Sequence, residues 1–243
     1  VVGSDITFAA SEAYKLLRTK LQFSFADENN CHIIGVSSAL TGEGKSLSAV
    51  NLAYSLSQLN QKVLLLDADM RCSTVIGGLP VAKGPGLSDF LTGQNDLNAL
   101  IQCCGLPEEK QAFSVISSGR IPSNPMELLS SPRMEEFLAL LRQYYDYILI
   151  DLPPVGVVAD ALVVSKWTDG FLLVVRQDGC NRFCSYCIIP TARGRERSKP
   201  LDDIKNEVMS IAKMGHKEIV LVGINLSAYG NDIGVTLCDA VDV

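Results

Sequence analysis

The chain has 243 residues, enough for one large α/β domain or two small ones with a substantial core. Its acidic balance, 21 Lys and Arg against 27 Asp and Glu, argues against a general nucleic-acid or membrane-surface binder. No apolar run is long enough to span a bilayer, and the N-terminus VVGSDITF has neither an initiator Met nor a signal-peptide pattern, so a soluble fragment is expected.

In chain order, SEAYKLLRTKLQFSF (11–25) has helical spacing, with Ser11 as the N-cap. HIIGVSS (32–38) reads as a strand, ALTGEGKS (39–46) as a glycine-containing turn and LSAVNLAYSLSQL as a helix. QKVLLLDADMR (61–71) is a buried strand ending in charge, followed by the Gly/Pro-rich stretch GGLPVAKGPG and two short helical pieces. FSVISSG (113–119) is a strand, SPRMEEFLALLRQYY (131–145) a helix and DYILIDLPP (146–154) a strand stopped by prolines. ADALVVSKW is helical and GFLLVVRQ (170–177) is a strand. A helix over 201–215 and a strand over 218–223 follow a cysteine-bearing loop. Continuous apolar strands alternating with helices predict an α/β fold, a mostly parallel sheet with helices on both faces. Eight cysteines without a short secreted framework point to a reducing cytoplasm, with thiols free or metal-bound.

ALTGEGKS lies between a strand and a helix, the context a phosphate-binding loop requires. Glycines at 42 and 44 let backbone N–H groups turn inward, and the helix N-terminus favours an anion. Gly42, Glu43, Gly44, Lys45, Ser46 and Leu47 form the candidate nucleotide loop, with Lys45 for the β/γ-phosphates and Ser46 for Mg²⁺. Ala39 stands where the general pattern has its first Gly, and the bland alternative is a Gly-rich turn at a helix start. Asp67 and Asp69 end one strand and Asp151 ends another, where open α/β sheets bind ligands. With the phosphate loop, these acids read as a Mg²⁺–nucleotide site. Asp160 reads equally as a helix cap or a functional acid.

TGEGKS, LLLDADMR and ILIDLPP together resemble the Walker A, A′ and B set of bacterial tyrosine kinases (BY-kinases), and the resemblance covers 1–177, including PGLSDFLTG and SSGRIPSNPMELLSSPRMEEFL. It implies an ATP- and Mg²⁺-dependent protein-tyrosine kinase of the polysaccharide-export type. Lys45, Asp67 and Asp69 would be catalytic, and Ser46, Asp67 and Asp151 would support the metal. Asp67 and Asp69 would also help deprotonate the incoming tyrosine. EAYKLLR resembles the family's oligomerisation helix, with Glu12 and Arg18 matching and Lys15 in place of an Arg. The same resemblance implies a membrane activator protein and recruitment from the cytoplasm to the inner face of the plasma membrane. Thr41 stands where the family usually has Pro, and the sheet's closing elements and the tyrosine-rich tail do not follow residue 177. A positioning or partitioning ATPase is a weaker match, because Leu40 occupies the place of its signature Lys.

Cys180, Cys184 and Cys187 form a C-x3-C-x2-C triplet on a polar loop. An iron–sulfur site is the leading reading, against zinc, for which Cys238, His216 or His32 would have to be the fourth ligand, and against no metal. CNRFCSYC resembles the radical S-adenosylmethionine signature, which implies a 4Fe-4S cluster with one open iron for the cofactor and Tyr186 touching that cofactor. DGCNRFCSYCIIPTARGRERSKPLDDI followed by EIVLVGINLSAYG is similar to tRNA methylthiotransferases over 178–243, which would set GIN (223–225) near the cofactor. Arg193, Arg195, Arg197 and Lys199 read either as a tRNA phosphate contact or as a solvated loop. Only one strand–helix–strand unit of a barrel is present, so the segment reads as a truncated β/α fragment.

The two resemblances meet at 177/178 without overlap or linker, as a composite would. The leading expectation is a kinase-like ATP-binding domain over 1–177 joined to a partial radical enzyme over 178–243. The alternatives are a tRNA-modifying iron–sulfur enzyme and a non-catalytic composite that only binds nucleotide. The helix and strand at 201–223 are expected to pack on the kinase sheet and fill the place left at its edge.

Overall fold

The computed structural model describes residues 8–25, 31–75, 77, 79–105, 112–174, 197–213, 219–222 and 228–242. The candidate ligands Cys180, Cys184 and Cys187, the residues Tyr186, Arg193, Arg195 and His216, the GIN stretch and the 177/178 junction all lie outside them.

Seven strands form one sheet: β1 (His32–Ser38), β2 (Val63–Asp67), β3 (Gln102–Gly105), β4 (Ala112–Ile116), β5 (Tyr147–Asp151), β6 (Gly170–Val174) and β7 (Ile219–Val222). Their spatial order is β3-β4-β2-β5-β1-β6-β7, and every pairing is parallel except β3 with β4. The central strands are near-continuous Val, Ile and Leu because both faces are covered. On one face Ile33, Leu64, Leu66, Ile148, Ile150 and Leu173 meet helices α3 (Leu87–Leu91), α4 (Pro125–Leu129), α5 (Pro132–Leu141) and α6 (Asp160–Val164). On the other, Ile34, Val36, Leu65, Leu149 and Leu172 meet α1 (Phe8–Ser24) and α2 (Lys45–Ser57). The alternation follows from the period of two along each strand.

The sequence and the structure differ in three places. Ser11 lies inside α1, which begins at Phe8, so it is not the cap. The second of the two expected helical pieces is a single 3₁₀ turn, Leu97–Ala99, after which β3 runs antiparallel along the sheet edge. QCCG shows only partial burial, so its pattern carries no clear strand signal. Asp160 is the first residue of α6 rather than its cap, and the capping position Ala159 makes no side-chain bond.

Beyond β6 the expected docking is found. Helix α7 (Leu201–Ala212) is followed by β7, which pairs in parallel with β6 from Phe171↔Ile219 to Val174↔Val222. Ile219 and Leu221 join the first core face and Val220 the second, so the alternation of the sheet continues through its last strand. Ile211 of α7 is fully buried in the main core. Ile204, Tyr229 and Ala240 form a satellite core with α8 (Leu237–Val241). Lys199, read from sequence as either a phosphate contact or part of a solvated loop, instead has its ammonium buried against Glu207. Tyr229, one of two tyrosines beyond residue 177, is buried with its hydroxyl donating to the Lys199 carbonyl.

Candidate nucleotide and metal site

The sheet order sets the site. β5 lies between β2 and β1, all three run the same way, and Asp151 is in register with both Asp67 and Val36. The two acids and the chain leaving β1 therefore emerge side by side at the carboxyl end of the sheet, where open parallel sheets bind ligands. Backbone bonds tie the three exits together, Leu152 N–H to Val36 O and Ala68 N–H to Asp151 O, each at 2.9 Å. The Ser37 hydroxyl donates to the Pro153 carbonyl at 2.7 Å.

The phosphate loop leaves β1 and enters α2 through Gly44, whose φ of 91° is a left-handed conformation that glycine adopts without strain. A Cβ there would meet nothing within 4 Å, so the loop rims an open cradle at the helix N-terminus. Glu43 folds back to accept the Leu40 N–H at 2.8 Å, which shapes the loop and leaves the cradle to the backbone. The adjoining cavity holds about 430 Å³ and is lined by Thr41, Gly42, Gly44, Lys45, Ser46 and Leu47 of the loop and helix, by Asp69 and Arg71, and by an apolar wall of Pro153, Val157 and Val158.

Inside, Lys45 Nζ donates to Asp69 Oδ2 at 2.8 Å and lies 3.8 Å from Asp151. Ser46 Oγ donates to Asp151 Oδ2 at 2.5 Å, and Thr74 Oγ1 donates to Ser46 Oγ at 2.9 Å. Asp67 accepts from Ser73 Oγ at 2.5 Å and from the Asp69 N–H at 3.1 Å, while Asp69 also accepts the Cys72 N–H at 3.0 Å. The second oxygen of fully buried Asp151 has no hydrogen-bond partner among the described residues.

These carboxylates are held where ionisation is costly. Burial, reinforced by Asp151 and Asp69, pushes the Asp67 carboxyl up to about 7 despite its hydrogen bonds. Burial pushes Asp151 up to about 6 against the pull of Lys45 and Ser46. Burial also opposes the Lys45 charge, but Asp151, Asp69 and Asp67 together hold its pKa above the usual lysine value. Three acids facing one ammonium leave a deficit of positive charge, and the orphaned Asp151 oxygen is an open acceptor. A hydroxyl and one or two carboxylates are what a hydrated Mg²⁺ takes from a protein when phosphates supply the rest. Ser46, Asp151 and Asp67 fit that ion. Among the described residues no group of three or more His, Cys, Asp or Glu side chains forms an all-protein metal cage.

The residues named from sequence thus converge: Gly42, Gly44, Lys45, Ser46, Leu47 and Asp69 line one cavity, and Asp67 and Asp151 are buried beside it in the same hydrogen-bond network. Sequence reasoning missed Ser73 and Thr74, which sit in an unremarkable polar turn, and the partnership of Arg71 with Asp160. Arg71 Nε and Nη2 donate to the two Asp160 oxygens at 2.7 and 3.1 Å. Of the possible fourth ligands of the cysteine site, His32 stacks on Phe25 and is tilted against Tyr147. Cys238 is exposed on α8.

A parallel sheet with a phosphate loop after β1 and acids ending the two strands beside it defines a P-loop nucleotide-binding protein. Residues 31–175 match the AAA domain family, and residues 174–235 match the Radical SAM superfamily. The chain is 38% identical over 167 residues to the tyrosine-protein kinase CpsD of Streptococcus agalactiae serotype III, covering 68% of each chain. It is 38% identical over 168 residues to the tyrosine-protein kinase etk of Escherichia coli K12, covering 69% of this chain and 22% of that one. The solved kinase domain of the Escherichia coli tyrosine kinase ETK superposes with a TM-score of 0.72 at 32% identity, covering 88% of this chain and 76% of that one. The chain belongs to the bacterial tyrosine kinases.

Proposed function

We propose that this chain binds Mg·ATP at the cleft around Lys45 and transfers the terminal phosphoryl group to protein tyrosine. The observation that carries the reading is the Lys45–Asp69–Asp151–Ser46 network, with its unsatisfied Asp151 oxygen, under a left-handed glycine loop. The loop N–H groups and Lys45 bind and orient the phosphates; Lys45 exchanges its Asp69 contact for them. Ser46, Asp151 and Asp67 would hold the Mg²⁺, which would offset charge on the transferring group. Asp69, which lines the cavity, and Asp67 would help deprotonate the incoming tyrosine. The apolar wall of Pro153, Val157 and Val158 excludes water from one side of the cleft.

Calorimetry tests the reading directly. Lys45→Met should reduce Mg·ATP affinity by about a hundredfold, as expected for losing a charged phosphate contact. Unchanged binding would sink it. Phosphotyrosine formed on a tyrosine copolymer by the unmodified chain, and not by the variant, separates a kinase from a module that only binds nucleotide.

The same reading includes a homo-oligomer through the 11–25 helix, a membrane activator and recruitment to the inner face of the plasma membrane. Exposed Leu16 and Phe23 on α1 support the first. Within the chain, Lys15 pairs with Glu12 and Arg18 donates to the Ser55 carbonyl of α2 at 2.5 Å, so Arg18 already serves the fold. No helix among the described residues is long and apolar enough to cross a membrane.

A second reading concerns 178–243. The match to the Radical SAM superfamily and the spacing of Cys180, Cys184 and Cys187 support binding of a 4Fe-4S cluster, with S-adenosylmethionine beside Tyr186. The matches to the two families meet at 174–175, which supports a composite with its seam near 177/178. β7 belongs to the kinase sheet rather than to a barrel, so cluster binding is proposed without radical chemistry on tRNA. Anaerobic reconstitution should give a brown protein that loses its colour when the three cysteines become Ala. A colourless unmodified chain would remove the cluster.

A further inference from the structure

We propose that Arg71 and Asp160 form a positioning clamp, which holds the acidic loop after β2 against the segment after β5 and thereby sets how strongly Mg²⁺ enhances nucleotide binding. The proposal rests on the nucleotide reading above. Asp160 is 1% exposed, and both of its oxygens go to one guanidinium. It lies in the first turn of α6, where the helix N-terminus favours its charge, but its hydrogen-bonding capacity goes to Arg71. Such a buried carboxylate is tolerated only with a dedicated partner. Arg71 in turn is half-exposed and lines the nucleotide cavity, two residues beyond Asp69.

The clamp joins the two sides of the cleft. On one side, much of the bonding of residues 67–73 is internal: Asp69 N–H to Asp67, Cys72 N–H to Asp69 and Ser73 Oγ to Asp67. Such a loop keeps its own shape, and what must still be set is where it sits. On the other side, the chain from Asp151 to Asp160 is pressed onto the phosphate loop. Val155 N–H donates to Ser38 O at 2.9 Å, and a Cβ on Gly156 would fall 2.6 Å from the Ala39 carbonyl oxygen. The Arg71–Asp160 fork bridges the two with fixed planar geometry. Strand register alone puts Asp67 beside Asp151. The fork sets how the carboxylates of that loop face Asp151 and Ser46.

The test is titration of a non-hydrolysable ATP analogue by calorimetry, in Mg²⁺ and in EDTA, for the intact chain and for Asp160→Asn, Arg71→Lys, Asp160→Glu and the Arg71→Ala/Asp160→Asn pair. Losing a bidentate charged contact should weaken binding in Mg²⁺ by about tenfold. For Asp160→Asn, which lies outside the cavity lining, affinity in EDTA should stay within about twofold, and in Mg²⁺ the double variant should resemble the single ones because the two residues act as a unit. Asp160→Glu should recover part of the loss. Melting temperatures measured in EDTA identify any variant that fails to fold, and the double variant avoids leaving an unpaired buried charge. Wild-type binding in Mg²⁺, or an equal loss with and without it, would overturn the clamp. If the intact chain itself gains nothing from Mg²⁺, the nucleotide reading fails first and the clamp with it.

Discussion

At the scale of single residues, the site holds its acids in a state the fold alone does not favour. Asp67 and Asp151 are fully buried, with carboxyl groups raised from 3.8 to about 7 and about 6. Between those values the folded, metal-free chain carries protons that the unfolded chain has released. Its stability must therefore fall as pH rises from about 4 to about 7. Asp67→Asn should flatten that slope and stabilise the metal-free chain at pH 8 by on the order of 2 kcal/mol, while weakening Mg·ATP binding. Thermal melts in EDTA across pH 4–8 check the sign; a variant less stable than the parent at pH 8 would contradict it. Lys45, Ser46, Asp67, Asp69 and Asp151 were legible in the sequence because each lies at a fixed offset from a strand end. The Arg71–Asp160 fork was not: its partners are 89 residues apart, and only the packing of α6 beside the β2 loop brings them together. Lys199 misled in the opposite direction, since a basic residue in a basic run gives no sign that Glu207 will bury it.

At the scale of elements, local chemistry explains most starts and stops. Ser131 caps α5 by accepting the Met134 N–H at 3.3 Å, with Pro132 at the first helical position. α3 enters through Gly86, where the limit is closeness: a Cβ would lie 2.2 Å from Gly119 N and 2.3 Å from Ser117 O. Both obstacles are backbone, so Gly86→Ala should cost about 3 kcal/mol, measured by urea denaturation. The antiparallel β3 was illegible because a short, half-exposed edge strand has neither apolar continuity nor alternation. The α7–β7 unit was legible as a helix and a strand, and its destination followed from the place left open beside β6. Ile211 makes that docking measurable. Ile211→Ala should destabilise the single unfolding transition by about 2–4 kcal/mol, the cost of a large buried aliphatic side chain. If β1–β6 melted unchanged and only the C-terminal segment loosened, the two would not share a core.

At the scale of the whole molecule, one sheet carries the phosphate loop after its first strand and the C-terminal strand at its far side, with only β6 between β1 and β7. Ligand binding at the cleft should then stabilise both ends. Nucleotide at about a hundred times its dissociation constant raises global stability by about 2.7 kcal/mol. Amide exchange at residues 219–222 should slow along with exchange in β1, by a comparable factor if it proceeds through global opening. Slowing confined to β1 would mean that β7 opens independently.

β7 lies in the stretch that matches the Radical SAM superfamily, yet it completes the sheet of a tyrosine kinase. The place beside β6 is taken by a crossover helix with one Ile in the main core and another in the satellite core, followed by four apolar strand residues. Kinship read along the chain and membership of a folding unit part company at that point. The sheet has no bare edge beside β6, because a strand from the differently matched stretch covers it.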